Sequence, residues 1–115
     1  MAASQFTSKH RYARISPRKA RLVTGLIAGR HVNEALELLK FTKKRACTMV
    51  DKVLRAAMAD ADEREADVRN LFVHEARVDP GPTIKRFQPK DRGRAHPILK
   101  RTSHIVVTVA EGPRA

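Results

Sequence analysis

The first half of the chain contains three stretches in which apolar residues recur at the spacing of a helix. The first follows Ser16-Pro17, a hydroxyl N-cap with proline at the first helical position, and Gly29 offers a stop. The second follows Asn33, and the third begins after Thr42, which we expect to cap it. The acidic segment 60–67 predicts where the third helix ends. The expected core-facing residues are Ala20, Val23, Leu26, Ile27, Leu36, Leu39, Ala46, Val50, Val53, Leu54, Ala57 and Ala61.

Beyond this segment the apolar pattern changes to a period of two, which is typical of a strand. In the strand that begins near Val68, we expect one face to carry Phe72, His74, Ala76 and Val78. The other face is expected to carry Leu71 and Val73. A second β-rich run covers Ser103 to Ala110, and Gln5 to Ile15 predicts a third, weaker strand. Strands before and after a block of helices predict an α+β fold, with three helices packed on a small three-stranded antiparallel sheet.

A long basic connection over residues 80–101 separates the two strong strands. It contains four prolines, and its seven bases are accompanied by a single acid, Asp91. A connection of this length is uncommon in a compact domain unless it has a function or is disordered. The prolines are expected to prevent a regular ladder through the tip, whereas residues near the base extend a hairpin: Ile84, Phe87, Ile98 and Leu99. We therefore expect a single domain over residues 1–115, from which a basic β-hairpin arm extends over about 80–101.

Charge is segregated along the chain, whose formal net charge is +12. Residues 1–33 carry seven bases and no acid, residues 34–79 nine bases and ten acids, and residues 80–115 eight bases and two acids. The middle of the chain is therefore nearly neutral, and both ends carry the excess. Nucleic acid is the usual partner of so basic a chain, and an acidic membrane surface is the weaker alternative.

Other classes of protein find little support in the sequence. Cys47 is the only cysteine, so it forms no internal disulfide, and we interpret it as a small buried hydrophobe. The run 105–110 is far shorter than the roughly 20 residues of a membrane-spanning helix, and residues 1–14 lack the apolar segment of a signal peptide. His74 has no acid on its own strand face, and no nucleotide-binding glycine pattern occurs. We expect no catalytic residue, metal, cofactor or small-molecule substrate.

Two predicted helix starts carry cations where the helix dipole is positive. This placement is disfavoured by about 0.3–1 kcal/mol per cation, whereas free N–H groups at a helix start favour an anion such as phosphate. The alternative at both places is a solvated basic face, and near the third helix Asp51 offsets part of the charge. The first cluster is Ser16, Arg18, Lys19 and Arg21, and the second is Lys43, Lys44 and Arg45.

Two longer motifs resemble the signature stretches of the bacterial large-subunit ribosomal protein L-twenty-two family. They are Ile15–Val23, with the sequence ISPRKARLV, and Lys100–Ile105, with the sequence KRTSHI. Between them, Gly81-Pro82, Lys85-Arg86 and Gly93-Arg94-Ala95 are similar to that family's long hairpin. The likeness extends over residues 14–109, which is nearly the whole chain.

The resemblance implies an α+β body on the outside of the large subunit, near the mouth of the peptide exit tunnel, and an early role in assembly. It implies a cytoplasmic location in the ribosome, with three kinds of partner: large-subunit ribosomal RNA, neighbouring ribosomal proteins and the nascent polypeptide. The expected tunnel-lining tip is Ile84, Lys85, Arg86, Phe87, Lys90, Arg92, Gly93 and Arg94. The expected RNA contacts are Arg14, Ser16, Arg18, Lys19, Arg21, Lys43, Lys44, Arg45, Lys85, Arg86, Lys90, Arg92, Arg94, His96, Lys100, Arg101, Thr102 and Ser103.

Two rival interpretations stay open at the level of sequence. One is a free-standing binder of nucleic acid or anionic membranes with a disordered basic loop, and the other is a small nuclease. Sedimentation of a cell lysate distinguishes these two from the ribosomal interpretation, because only the ribosomal interpretation predicts stoichiometric co-migration with large subunits. A metal-dependent activity on naked RNA would favour the nuclease.

Overall fold

The computed structural model describes residues 5–89 and 95–111. The elements in chain order are β1 (Gln5–Ala13), α1 (Pro17–Ile27), α2 (Val32–Phe41), α3 (Arg45–Glu63), a 3₁₀ turn (Val68–Asn70), β2 (Leu71–Pro80), β3 (Ile84–Pro89), β4 (Ala95–Lys100) and β5 (Ser103–Glu111). β1, β5 and β2 form an antiparallel sheet in that order, with β5 in the centre. The helices pack against this sheet. The predicted α+β fold of three helices and a three-stranded antiparallel sheet is confirmed.

The start and the end of α1 follow from local signals in the sequence. Ser16 Oγ accepts a hydrogen bond from the Lys19 amide at 3.4 Å, and Pro17 occupies the first helical position. After the helix, Gly29 adopts a φ of +79°, a left-handed conformation that glycine accepts without strain. Both signals act as predicted.

The start of α3 differs from the prediction. Thr42 does not cap α3; it ends α2, and its hydroxyl donates to the Leu38 carbonyl at 2.7 Å. The Thr42 amide donates to the same carbonyl at 3.0 Å, so the backbone and the side chain of Thr42 together close the last turn of α2. The N-cap of α3 is Lys44, which makes no side-chain capping bond. The helix ends at Glu63, within the acidic segment, as expected.

A single cluster of buried apolar residues lies between the helices and the sheet. Cys47 is buried among them, as predicted. Leu26 corrects the prediction, because it is 38% exposed. The buried stripe of α1 runs instead through Ala20, Val23, Thr24 and Ile27.

A β-bulge in β2 determines which of its residues face the core. The pairing with β5 passes from Val73↔Val109 to Glu75↔Thr108, so His74 is the additional residue. The predicted strict alternation, which placed Phe72 on the same face as Val78, is therefore wrong. One extra residue shifts the alternation by one position, so Val73 and Val78 both become buried.

A second bulge interrupts β1 near its end. His10 pairs with Ile105 and Ala13 with Ser103, so Arg11 and Tyr12 lie opposite the single residue His104. Tyr12 adopts a φ of +57°, a left-handed conformation that costs a residue with a side chain about 1–2 kcal/mol.

β3 and β4 form a separate two-stranded antiparallel sheet. Its pairs run from Ile84↔Lys100 to Pro89↔Ala95, and residues 90–94 lie outside the described part of the chain. The predicted pairing near the base is confirmed, and the ladder continues past Pro97 to the pair Pro89↔Ala95. Whether the ladder is lost through the tip, as expected, depends on residues outside the described part of the chain. Each strand of a two-stranded sheet has an outer edge, which faces no partner strand. A proline whose nitrogen lies on that edge removes no hydrogen bond between the strands.

Candidate nucleic-acid interface

A groove of about 920 Å³ lies where the start of α1, the start of α3 and the connection between β4 and β5 meet. We call it the basic groove. Its described lining contains six exposed cations and no acid. Ile15, Leu22, Ala46 and Leu99 supply its apolar part. The cations are Arg14, Lys19, Lys44, Arg45, Lys100 and Arg101.

The fold brings together three clusters that are far apart in the sequence. α3 packs on β1 and β5, which places the start of α3 beside the connection from β1 to α1. Ser103 Oγ donates to the Ile15 carbonyl at 2.6 Å and joins the start of β5 to the same connection. One groove is thus lined by residues 14–16 with Lys19, by residues 44–46 and by residues 99–101.

Two helix N-termini contribute to the positive potential of the groove. Neither α1 nor α3 has an acidic residue in its first turn. Because no side chain caps α3, its first amide groups are left for water or a ligand. The positive ends of both helix dipoles therefore add to the charge of the six cations.

The positive charge of the groove is not neutralised within the described protein. The ion pairs between described residues involve four other cations, namely Arg30, Arg55, Arg64 and Arg77. None of these four lines the basic groove. An uncompensated concave surface of this kind attracts anions and concentrates them.

Three of the predicted cations lie elsewhere. Arg18 is exposed outside the lining of the groove. Arg21 donates through Nε and Nη2 to the Val78 carbonyl at 3.3 and 3.1 Å, where it satisfies a backbone acceptor of an edge strand. Lys43 lines a second, smaller groove of about 610 Å³ that also contains Asp51. The sequence clusters are therefore divided by the fold.

The hydroxyl groups of Thr102 and Ser103, two of the predicted RNA contacts, are engaged within the protein. Both residues are buried, and their hydroxyls donate to backbone carbonyls, Thr102 to Pro82 and Ser103 to Ile15, at 2.6 Å in each case. These hydrogen bonds hold the backbone next to Lys100 and Arg101 in place. Contact of Thr102 or Ser103 with RNA stays a prediction.

The remaining predicted contacts lie in the second sheet and beyond it. Ile84 is half-buried and Lys85 is exposed in β3. For three further residues the structure gives only the pairing partner in the sheet. These residues are Arg86, Phe87 and His96. A last set lies outside the described residues: Lys90, Arg92, Gly93 and Arg94. Contacts of this second sheet with RNA or with a nascent chain stay predictions.

Sequence reasoning missed the apolar part of the groove. Leu22 is 57% exposed and Leu99 is 48% exposed, although both are leucines within regular elements. The exposure of Leu22 could have been predicted, because this residue lies outside the buried stripe of α1. Exposed leucines beside cations suit a ligand with both charged and apolar surfaces.

Other kinds of site find no support in the described part of the chain. No group of three or more histidine, cysteine or acidic residues there is arranged to hold a metal ion. None of the helices in residues 5–89 and 95–111 combines the length and apolarity that crossing a membrane requires. Each buried side-chain nitrogen or oxygen in these residues has a hydrogen-bond partner.

Comparison with known proteins gives a family for the chain. The family model described as ribosomal protein L22p/L17e matches residues 8–110. The protein called large ribosomal subunit protein uL22, from two strains of Lactobacillus delbrueckii subsp. bulgaricus, is 52% identical to the chain over 109 residues. The match covers 94% of this chain and 93% of each relative. The chain therefore belongs to the ribosomal protein L22p/L17e family, which makes it a protein of the large subunit of the cytoplasmic ribosome, as its motifs predicted.

Proposed function

We propose that the chain is a non-catalytic structural constituent of the large subunit that binds large-subunit ribosomal RNA through the basic groove. One observation carries this proposal, namely that six cations and two helix starts without acidic residues converge on one groove without a described acid. Phosphate groups supply the negative charge that such a surface lacks.

The residue types in the groove favour RNA over a simple anion. Arg14, Arg45 and Arg101 can each form two parallel hydrogen bonds to a phosphate, and guanidinium planes also stack on bases. Leu22 and Leu99 offer apolar surface to a ribose or a base edge. A free phosphate would use the cations and leave the leucines in water.

We further propose that residues 80–101 form an arm that reaches inward from the body through ribosomal RNA. The tip, Ile84 to Arg94, then lines part of the exit tunnel and meets the nascent polypeptide. Support comes from the pairing of β3 with β4 in a sheet of their own and from the motif similarity of this segment within the family. In this arrangement the body contacts neighbouring ribosomal proteins and anchors the arm during assembly.

The proposal is tested by the salt dependence of binding to large-subunit ribosomal RNA. Each phosphate that the protein neutralises contributes a slope of about −0.7 to −0.9 in the plot of log affinity against log salt. The double variant Lys100→Gln with Arg101→Gln should flatten the slope by about 0.7–0.9 for each phosphate that is no longer neutralised. Filter binding at several salt concentrations measures this change.

The matched control removes the same charge from another place. Arg64→Gln with Arg69→Gln changes two exposed arginines beside the acidic end of α3. We expect the slope of this control to equal that of the unchanged protein. Equal flattening by both doubles would mean that net charge, and not the groove, determines binding.

A further inference from the structure

Tyr12 combines an exposed aromatic ring with an unfavourable backbone conformation. The residue is 60% exposed, and its φ is +57°. Glycine or asparagine would form the same bulge with less strain. The ring is not part of the buried core, so packing does not explain why a tyrosine occupies this position. An aromatic residue in a strained, exposed position points to a role for the ring in binding.

Two contacts with His104 hold Tyr12 in place. The Tyr12 amide donates to His104 Nδ1 at 3.1 Å, which fixes the backbone of the bulge. The two rings meet edge to face, with their centroids 4.9 Å apart and their planes at 85°. The ring is therefore oriented before any ligand arrives, and much of its surface remains accessible.

The surroundings of Tyr12 favour a polyanionic ligand. Arg11 and Arg14 are exposed on either side of it in the chain, and Arg14 lines the basic groove. The nearest acid in the register of the sheet is Asp79, which lies opposite His104. Asp79 already accepts a hydrogen bond from Arg77 at 3.3 Å. The hydrogen bond to Glu75 and the charge of Asp79 raise the pKa of Arg77. A guanidinium is protonated in any case, so Asp79 has a permanent cationic partner.

We propose that Tyr12 is a stacking platform for one unpaired nucleobase of the RNA whose phosphates occupy the basic groove. The inference rests on the proposed function and adds a base-stacking subsite to it. Every nucleobase has an aromatic face, so a preoriented tyrosine binds a splayed base without reading its sequence. Arg11 and Arg14 then neutralise the phosphates on either side of that base.

The first test is the variant Tyr12→Gly, which removes the ring and relieves the backbone. We expect its thermal stability to equal or exceed that of the unchanged protein. Its affinity for large-subunit ribosomal RNA should nevertheless fall by about 5- to 150-fold, the usual effect of removing a stacked aromatic residue. The salt slope should stay the same, because every phosphate remains neutralised. A merely structural role for Tyr12 does not combine higher stability with weaker binding.

The conservative control is Tyr12→Phe, which keeps the ring and removes the hydroxyl. Its affinity should remain within about twofold of the unchanged value, because stacking uses the ring face. Unchanged affinity in Tyr12→Gly overturns the proposal. If Tyr12→Gly keeps its RNA affinity while the double variant Lys100→Gln with Arg101→Gln shows a flatter salt slope, the stacking site fails and the proposed function stands. If the double variant keeps the salt slope of the unchanged protein, the proposed function fails.

A direct readout is available because Tyr12 is the only tyrosine and the chain has no tryptophan. Intrinsic tyrosine fluorescence therefore reports on this ring alone. Saturation with a ten-nucleotide oligoadenylate at low salt should shorten the fluorescence lifetime, whereas an abasic oligomer of equal length should not. A lifetime that oligoadenylate leaves unchanged overturns the proposal, as does an equal effect of both oligomers.

Discussion

The backbone amide of Gly81 donates a hydrogen bond to the carbonyl of Thr102 at 2.9 Å. Gly81 precedes β3 and Thr102 follows β4, so this bond closes the base of the two-stranded sheet where it joins the main sheet. The Thr102 hydroxyl adds a second bond, to the Pro82 carbonyl at 2.6 Å. The segments that precede β3 and follow β4 are thus tied together by two hydrogen bonds.

Replacing Gly81 by alanine should destabilise this junction. A Cβ there would lie 2.5 Å from Thr102 Oγ1 and 3.3 Å from the Thr102 carbonyl carbon, too close for either to remain in place. We expect a loss of about 1–3 kcal/mol in the free energy of unfolding, measured by urea denaturation. Gly25→Ala is the matched control, since nothing lies within 4 Å of its new Cβ in the exposed face of α1. It should stabilise the protein by about 0.5–1 kcal/mol, and equal losses in both variants would contradict the steric argument.

Replacing Ser103 by alanine should affect folding and not RNA contact. The change leaves the buried Ile15 carbonyl without its donor, which costs about 1–3 kcal/mol. The affinity of the folded variant for RNA should stay unchanged, because the hydroxyl is buried. Ser8→Ala, at a half-buried position of β1, should change stability by less than about 0.5 kcal/mol. A loss of RNA affinity in the folded Ser103→Ala variant would assign this residue to the RNA contacts.

Replacing Arg21 by methionine separates its two possible roles. Methionine keeps most of the apolar stem and removes both hydrogen bonds to the Val78 carbonyl. We expect the free energy of unfolding to fall by about 0.5–1.5 kcal/mol, with no change in the salt slope. Arg18→Met, the exposed control, should leave stability unchanged within about 0.5 kcal/mol. The opposite pattern, a flatter slope with unchanged stability in Arg21→Met, would assign Arg21 to phosphate binding.

Reversing charge in the groove and shortening the tip should have different consequences in cells. Lys19→Glu with Lys44→Glu and Arg101→Glu should reduce incorporation into large subunits, because each change places a carboxylate against phosphate. Deletion of residues 90–92 should leave incorporation intact and change the response to drugs that bind in the tunnel. Sucrose gradients and drug sensitivity measure the two effects. If the deletion blocks incorporation while the triple variant assembles normally, the roles are the reverse of those proposed. The tip would then anchor the protein in the subunit, and the basic groove would not.

The sequence by itself determined where the helices and strands lie and that the protein is a basic chain suited to a polyanionic partner. Ser16-Pro17 and Gly29 define the ends of α1 through contacts within a few residues. The β-rich run of β5 and the acidic end of α3 are likewise visible in the chain, because hydrophobic period and turn composition are local properties. The segregated positive charge indicated a polyanionic partner, and two contiguous motifs indicated the family that comparison confirms.

Tertiary structure decided how these parts are used. The bulges at His74 and Tyr12 reverse the side-chain alternation because β5 pairs with strands distant in sequence, and no local pattern specifies that register. The burial of Ser103 depends on a hydrogen bond to Ile15, 88 positions away in the chain. The gathering of Arg14, Lys44 and Arg101 in one groove, with Arg21 drawn to the edge of β2, depends on long-range packing. Composition specifies how many cations the chain carries, but only the folded backbone brings three separate clusters close enough for their fields to add.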